Sequence, residues 1–157
     1  METDIEALIP DVYVESDAER LDLYRRLYRM RSREELDALR AELTDRFGEY
    51  PEEVEHLFRL IDMKIVAGAA GFTKVELSGG DVLLSFPPAE QAAFYEGEHA
   101  PFQRMMAIVP SLRSSQVRLK QEGTQLRLAA RIPADGSPEE RLTHLTTLIG
   151  RLTGKNS

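Results

Sequence analysis

Residues 75–86 read Val75-Glu76-Leu77-Ser78-Gly79-Gly80-Asp81-Val82-Leu83-Leu84-Ser85-Phe86, and this stretch decides the fold class. Apolar side chains alternate at Val75 and Leu77, then at Val82, Leu84 and Phe86, the period of two expected of strands with one buried face. Gly79 and Gly80 between the two runs tolerate the positive φ of a tight turn, so the stretch predicts a β-hairpin. On its N-terminal side the apolar period is helical.

Ser16-Asp17-Ala18-Glu19 is a capping box, in which the serine oxygen accepts a free backbone N–H and the glutamate reaches back. It opens a predicted helix at 17–30 with Leu21, Leu23, Tyr24, Leu27, Tyr28 and Met30. Ser32-Arg33-Glu34-Glu35 repeats the pattern before Leu36, Leu39, Leu43 and Phe47, and Gly48 suits the left-handed turn that ends a helix over 33–47. Pro51 fits the first turn of a third helix, to Ala70, with Val54, Phe58, Ile61 and Ile65 on one face. Gly71 stops it. Ile5, Leu8 and Ile9 before Pro10 predict a short strand, and its abrupt position behind Met1 predicts that the chain is part of something longer.

C-terminal to the first hairpin, Pro87-Pro88 breaks the sheet, and a helix is expected only at 101–109, where Phe102, Met105, Met106 and Val109 are helically spaced. Val117 and Leu119, then Glu122-Gly123, then Leu126, Leu128 and Ala130 predict a second hairpin. Its opposite face carries Arg118, Lys120, Arg127 and Arg131. Ser137-Pro138-Glu139-Glu140 caps a closing helix striped by Leu142, Leu145, Ile149 and Leu152, and Gly154–Ser157 is expected to fray. The order is N-terminal helices, two antiparallel hairpins and a closing C-terminal helix: an α+β fold, read as a single domain over 1–157.

The formal charge of −7, from 27 Asp and Glu against 20 Lys and Arg, opposes a mainly electrostatic nucleic-acid or membrane binder. A local basic patch is compatible with it. The chain has no cysteine, which removes disulfides, a thiol nucleophile and thiolate metal sites, and suits a cytoplasmic location. No stretch reaches the roughly 20 apolar residues of a membrane span. His56, His99 and His144 lack metal-ligand spacing, the glycines form no phosphate-binding loop, and the serines have no nucleophile elbow. No metal, cofactor or catalytic residue is therefore assigned, and no heptad seam predicts more than a monomer.

Two charged features compete as contact surfaces. Arg25, Arg26, Arg29, Arg31 and Arg33 form a basic run, yet Asp17, Glu19, Asp22, Glu34, Glu35 and Asp37 surround it, as on a self-compensated helix surface. In Glu42-Leu43-Thr44-Asp45-Arg46-Phe47-Gly48, Leu43 and Phe47 belong to the buried stripe, while Glu42 and Asp45 share an exposed ridge. Glu42 can pair locally with Arg46, or the ridge can meet an arginine-bearing partner.

Three motifs, Ile9-Pro10-Asp11-Val12-Tyr13-Val14, Arg20-Leu21-Asp22-Leu23-Tyr24-Arg25-Arg26-Leu27 and Glu42-Leu43-Thr44-Asp45-Arg46-Phe47-Gly48 with Pro51, resemble in order and spacing the C-terminal domain of the bacterial transcription-repair coupling factors. The resemblance covers residues 5–77, beyond which only the order of hairpin and closing helix is similar. It implies a non-catalytic regulatory domain of a larger ATP-driven translocase that engages stalled RNA polymerase on damaged DNA and recruits excision-repair proteins. In that family the domain docks on a UvrB-like N-terminal module, masks UvrA binding and restrains the motor. Carried over, Glu42 and Asp45 become the acidic contacts, with Arg46 in support. The competing reading is a nucleic-acid-contacting accessory domain using Arg25–Arg33 or the sheet-face Arg118, Arg127 and Arg131.

Overall fold

The computed structural model describes residues 1–154, so the expected fraying falls, beyond Gly154, outside the described residues. The chain divides into two compact units, residues 5–65 and residues 1–4 with 66–157. The fold class is α+β, as the change of period at Gly71 predicts.

Within residues 5–65, α1 (Asp17–Arg29), α2 (Arg33–Phe47) and most of α3 (Glu52–Ala70) start and stop within a residue or two of the sequence reading. The caps explain the agreement: the hydroxyls of Ser16 and Ser32 accept from the backbone N–H of Glu19 at 3.2 Å and of Glu35 at 3.3 Å. Leu23 and Leu27 of α1, Leu36, Leu39 and Leu43 of α2, and Val54, Phe58 and Ile61 of α3 form one buried cluster. The acidic excess of the chain sits here, with sixteen Asp and Glu against ten Lys and Arg in residues 5–65.

The strand expected at Ile5–Ile9 does not form. Backbone donors of this segment are satisfied elsewhere: Leu8 N–H donates to the Glu53 carbonyl at 3.3 Å, and Ile9 N–H to the Tyr24 hydroxyl at 2.7 Å. Helices thus supply the partners that a neighbouring strand would have supplied.

In the other unit the short N-terminal strand lies earlier, as β1 (Glu2–Thr3), parallel to β2 (Lys74–Ser78). With β3 (Asp81–Ser85), β4 (Arg118–Glu122) and β5 (Gln125–Arg131) it makes a sheet of order β1-β2-β3-β5-β4, antiparallel apart from β1. Asp4 fastens β1 to the hairpin turn, accepting from Gly79 N–H at 2.9 Å and from Arg141 at 2.6 Å, and these donors hold its carboxyl below the ordinary range. Gly80 is required at that turn because a Cβ would lie 2.3 Å from the Ile132 carbonyl oxygen.

Leu77↔Val82↔Ala130 and Val75↔Leu84↔Leu128 form the buried rows of the sheet, as the alternation predicts. Its opposite face carries Arg118, Lys120, Arg127 and Arg131, interrupted by Glu76 and Asp81. The expected helix at 101–109 is α5 (Pro101–Ile108), followed by two 3₁₀ turns over 109–111 and 113–115. A one-turn helix, α4 (Ala92–Tyr95), was not legible, because Gln91 supplies no side-chain cap and one turn has no period to detect. Packing holds α4, with Phe94 buried against Phe86 and Phe102. Helix α6 (Pro138–Leu152) closes the chain, capped by Ser137 and burying Leu142, Leu145, Leu148, Ile149 and Leu152.

Candidate protein-docking site

The end of α2 is built by two sequence motifs that meet in space. A helix leaves its last carbonyls without intrahelical donors. Here Gly48, at φ +85°, ends the helix with its N–H on the Thr44 carbonyl at 3.0 Å. The Tyr13 hydroxyl then donates to the Gly48 carbonyl at 2.8 Å and lies 3.2 Å from that of Leu43. Its ring packs on Phe47, with centroids 5.8 Å apart. Tyr13, Leu43, Phe47 and Gly48 therefore shape the platform, and the charges stand on it.

Glu42 is held by two arginines. Arg26 grips it bidentately, Nη1 and Nη2 each 2.9 Å from a carboxylate oxygen, and Arg46 Nη1 reaches Oε2 at 3.2 Å. Arg46 also pairs with Glu19 at 3.2 Å while its guanidinium lies 4.8 Å from the centroid of the Phe47 ring. Asp45, by contrast, is exposed and has no hydrogen bond or ion pair among the described residues. The ridge expected to present two carboxylates thus presents one free carboxylate beside a neutralised Arg26–Glu42–Arg46–Glu19 chain.

Sequence reasoning anticipated the Glu42–Arg46 pair from the i+4 spacing but missed Arg26 and Glu19 as partners. Both were visible, Arg26 within the basic run and Glu19 within the capping box, yet neither assignment hinted at α2. Three of the five arginines of that run are engaged inside the unit: Arg26 binds Glu42, Arg33 binds Asp62 at 2.7 Å, and Arg29 donates to the Arg25 carbonyl. A free basic face on α1 is correspondingly reduced.

The double grip, first from the Arg26 hydrogen bonds, draws the Glu42 carboxyl from an ordinary 4.5 down to about 2. A carboxylate depressed in the folded state stabilises the fold fully above its unfolded pKa and loses that contribution as pH falls. With the Glu42 side chain 34% exposed, solvent reduces the full linkage to about 1 kcal/mol. Urea unfolding of Glu42→Gln and the unmodified chain should differ by about that amount at neutral pH and converge as pH falls from 4.5 to about 2.

Residues 3–96, which include this platform, match the model of the TRCF domain family. The chain belongs to that family. It is similar to the transcription-repair-coupling factor of Bacillus subtilis, 27% identical over 154 residues covering 98% of the chain. The counterpart in Myxococcus xanthus is 39% identical over 89 residues, or 52% of the chain. The TRCF domain spans only 12% and 7% of the lengths of these two relatives. A crystal structure of the C-terminal domain of transcription-repair coupling factor superposes with a TM-score of 0.73 at 21% identity, covering 99% of this chain and 92% of that one. The resemblance read from the three motifs is thereby established, and with it the fold of a C-terminal TRCF domain. No helix among the described residues of the TRCF domain is long and apolar enough to cross a membrane.

Proposed function

We propose that the chain is the regulatory C-terminal domain of a cytoplasmic transcription-repair coupling factor, acting by autoinhibitory docking on the UvrB-like N-terminal module of the same protein. Docking masks the UvrA-binding surface and restrains the DNA translocase that acts on stalled RNA polymerase. Asp45 carries the reading: an unpaired carboxylate on a rigid helix end, beside Glu42 and Arg46, which are already held in place by Arg26 and Glu19. A carboxylate without an internal partner is available to an arginine of another surface, where a desolvated charge-assisted bond exceeds a surface pair. Glu42 and Arg46 supply preorganised neighbours.

The energetics suit a latch. Joined in one chain, two surfaces meet at an effective concentration of order mM, so a small interface holds the closed state. Reversing a 99:1 population requires about 5.5 kcal/mol of preferential binding to the open form. A few charge-assisted bonds lie on that scale.

Calorimetric titration of this domain into the separately expressed N-terminal module tests the proposal. Asp45→Arg and Glu42→Arg should each weaken binding by about tenfold or more, with Asp45→Arg leaving the unfolding midpoint unchanged because it breaks no internal bond. Unchanged affinity in both variants would overturn the docking assignment.

A further inference from the structure

Residues 66–157 carry a second charged feature, unrelated to the acidic ridge. One furrow, of about 470 Å³, runs over the exposed sheet face, and another, of about 450 Å³, lies between the 3₁₀ turn at 113–115 and α6. Gln116 and Arg131 line both, so the two form one track. Cations recur along it: Arg118 and Lys120 at one end, where Glu76 and Asp81 also line the furrow, Arg131 at the junction and Arg151 at the other end. The α6 half has hydroxyls at Ser114, Ser115 and Thr147 and no carboxylate in its lining.

Internal pairing does not account for these cations. Arg118, Lys120 and Arg151 have no acidic partner among the described residues, and only Arg131 has one, Asp81 at 3.6 Å. Lys120 stands directly opposite Arg127 across the β4–β5 ladder, a like-charge pair that destabilises a sheet unless an anion lies over it. The Nε of Arg127 is shut from solvent without an acceptor. Gln116, at the junction, is the only described non-glycine residue with positive φ, at 49°, a conformation that costs about 1 kcal/mol or more and needs support from its surroundings.

We infer that this track binds the phosphate backbone of a single nucleic-acid strand. Repeated cations along a furrow match a polymer of phosphates better than one anion. On the floor Leu83 is partly exposed and offers apolar contact to the unpaired bases and sugars that a single strand presents and a duplex does not. No Phe or Tyr lines the track, so binding is sequence-tolerant and modest, with a dissociation constant of about 10⁻⁴ to 10⁻⁶ M at physiological salt.

Fluorescence anisotropy of a labelled oligothymidylate of roughly 15 nucleotides, titrated with the whole chain at several salt concentrations, is the test. Binding should weaken steeply with salt. Arg151→Glu, and Arg118→Glu with Lys120→Glu on the fully exposed edge strand, should each lower affinity and flatten the log–log salt slope by about one per lost phosphate contact. Arg151→Lys should retain binding, and Glu42→Arg should leave it unchanged, which separates this site from the docking ridge. Absence of binding at low salt, indifference to the reversals, equal affinity for poly-glutamate or inorganic phosphate, or preference for duplex would each overturn the assignment.

Discussion

Phe86→Ala should destabilise the chain by about 3–5 kcal/mol, read as a drop in the urea midpoint at unchanged slope. Phe86 is 1% exposed and sits at the centre of an aromatic cluster, its ring centroid 5.3 Å from Phe72, 5.9 Å from Phe94 and 5.4 Å from Phe102. Truncation removes the ring's transfer free energy and leaves a cavity whose walls come from three separate segments. Phe72 is placed by the turn after α3, Phe94 by the single turn of α4, and Phe102 by the start of α5. Helix α4 has one turn and no N-terminal side-chain cap, so this packing adds to the few hydrogen bonds that hold it, among them Gln103 Nε2 to the Tyr95 carbonyl at 3.1 Å. Phe86→Leu, which fills most of the volume, should lose much less than the alanine variant. Equal losses for leucine and alanine would show that the cluster is not close-packed.

The same cluster marks the boundary of what the sequence discloses. Helices α1, α2, α3 and α6 were legible because a capping serine or an N-terminal proline coincided with an apolar stripe over three or four turns. Both hairpins were legible because period-two alternation met a glycine turn. Within residues 87–115 only α5 carried such a signal, Pro101 ahead of a helically spaced apolar stripe; α4 is instead ordered by ring contacts with Phe86 and Phe102, which no periodic pattern announces. Ile5–Ile9 misled for a related reason, since an apolar run announces burial but not its hydrogen-bond partner, and here a tyrosine hydroxyl and a helix carbonyl took the place of a strand.

The candidate site divides in the same way. The i+4 pair Glu42–Arg46 is local and was visible, whereas Arg26 and Glu19 reach α2 from sixteen and twenty-seven residues away. This distinction changes the chemistry of the ridge. Spacing placed Glu42 and Asp45 on one exposed ridge with a local partner for Glu42 alone; tertiary structure adds Arg26 to the first and leaves the second free. A surface built this way presents a directed charge with little reorganisation, because the flexible side chains around it are already tied.

Phe58→Ala should also lower stability by about 3–5 kcal/mol, and its effect on docking separates scaffold from contact. Phe58 is fully buried in the same cluster as Leu39 and Leu43, with Tyr50 edge-on at 5.1 Å and the Arg40 guanidinium 5.0 Å above its ring. Arg40 is itself held by Glu55 at 3.1 Å, so the ring supports a charged pair as well as an apolar core. Loss of the ring undermines the inner face of α2, whose outer face bears Glu42 and Asp45. Phe58→Leu keeps most of the volume and should cost less, about 1–2 kcal/mol including the lost cation–ring contact. At a temperature where Phe58→Leu remains folded it should bind the N-terminal module as the unmodified chain does, whereas Asp45→Arg, equally folded, should not. Weakened binding by folded Phe58→Leu to the extent seen for Asp45→Arg would mean that affinity follows the overall set of α2, and that the free carboxylate is not the contact.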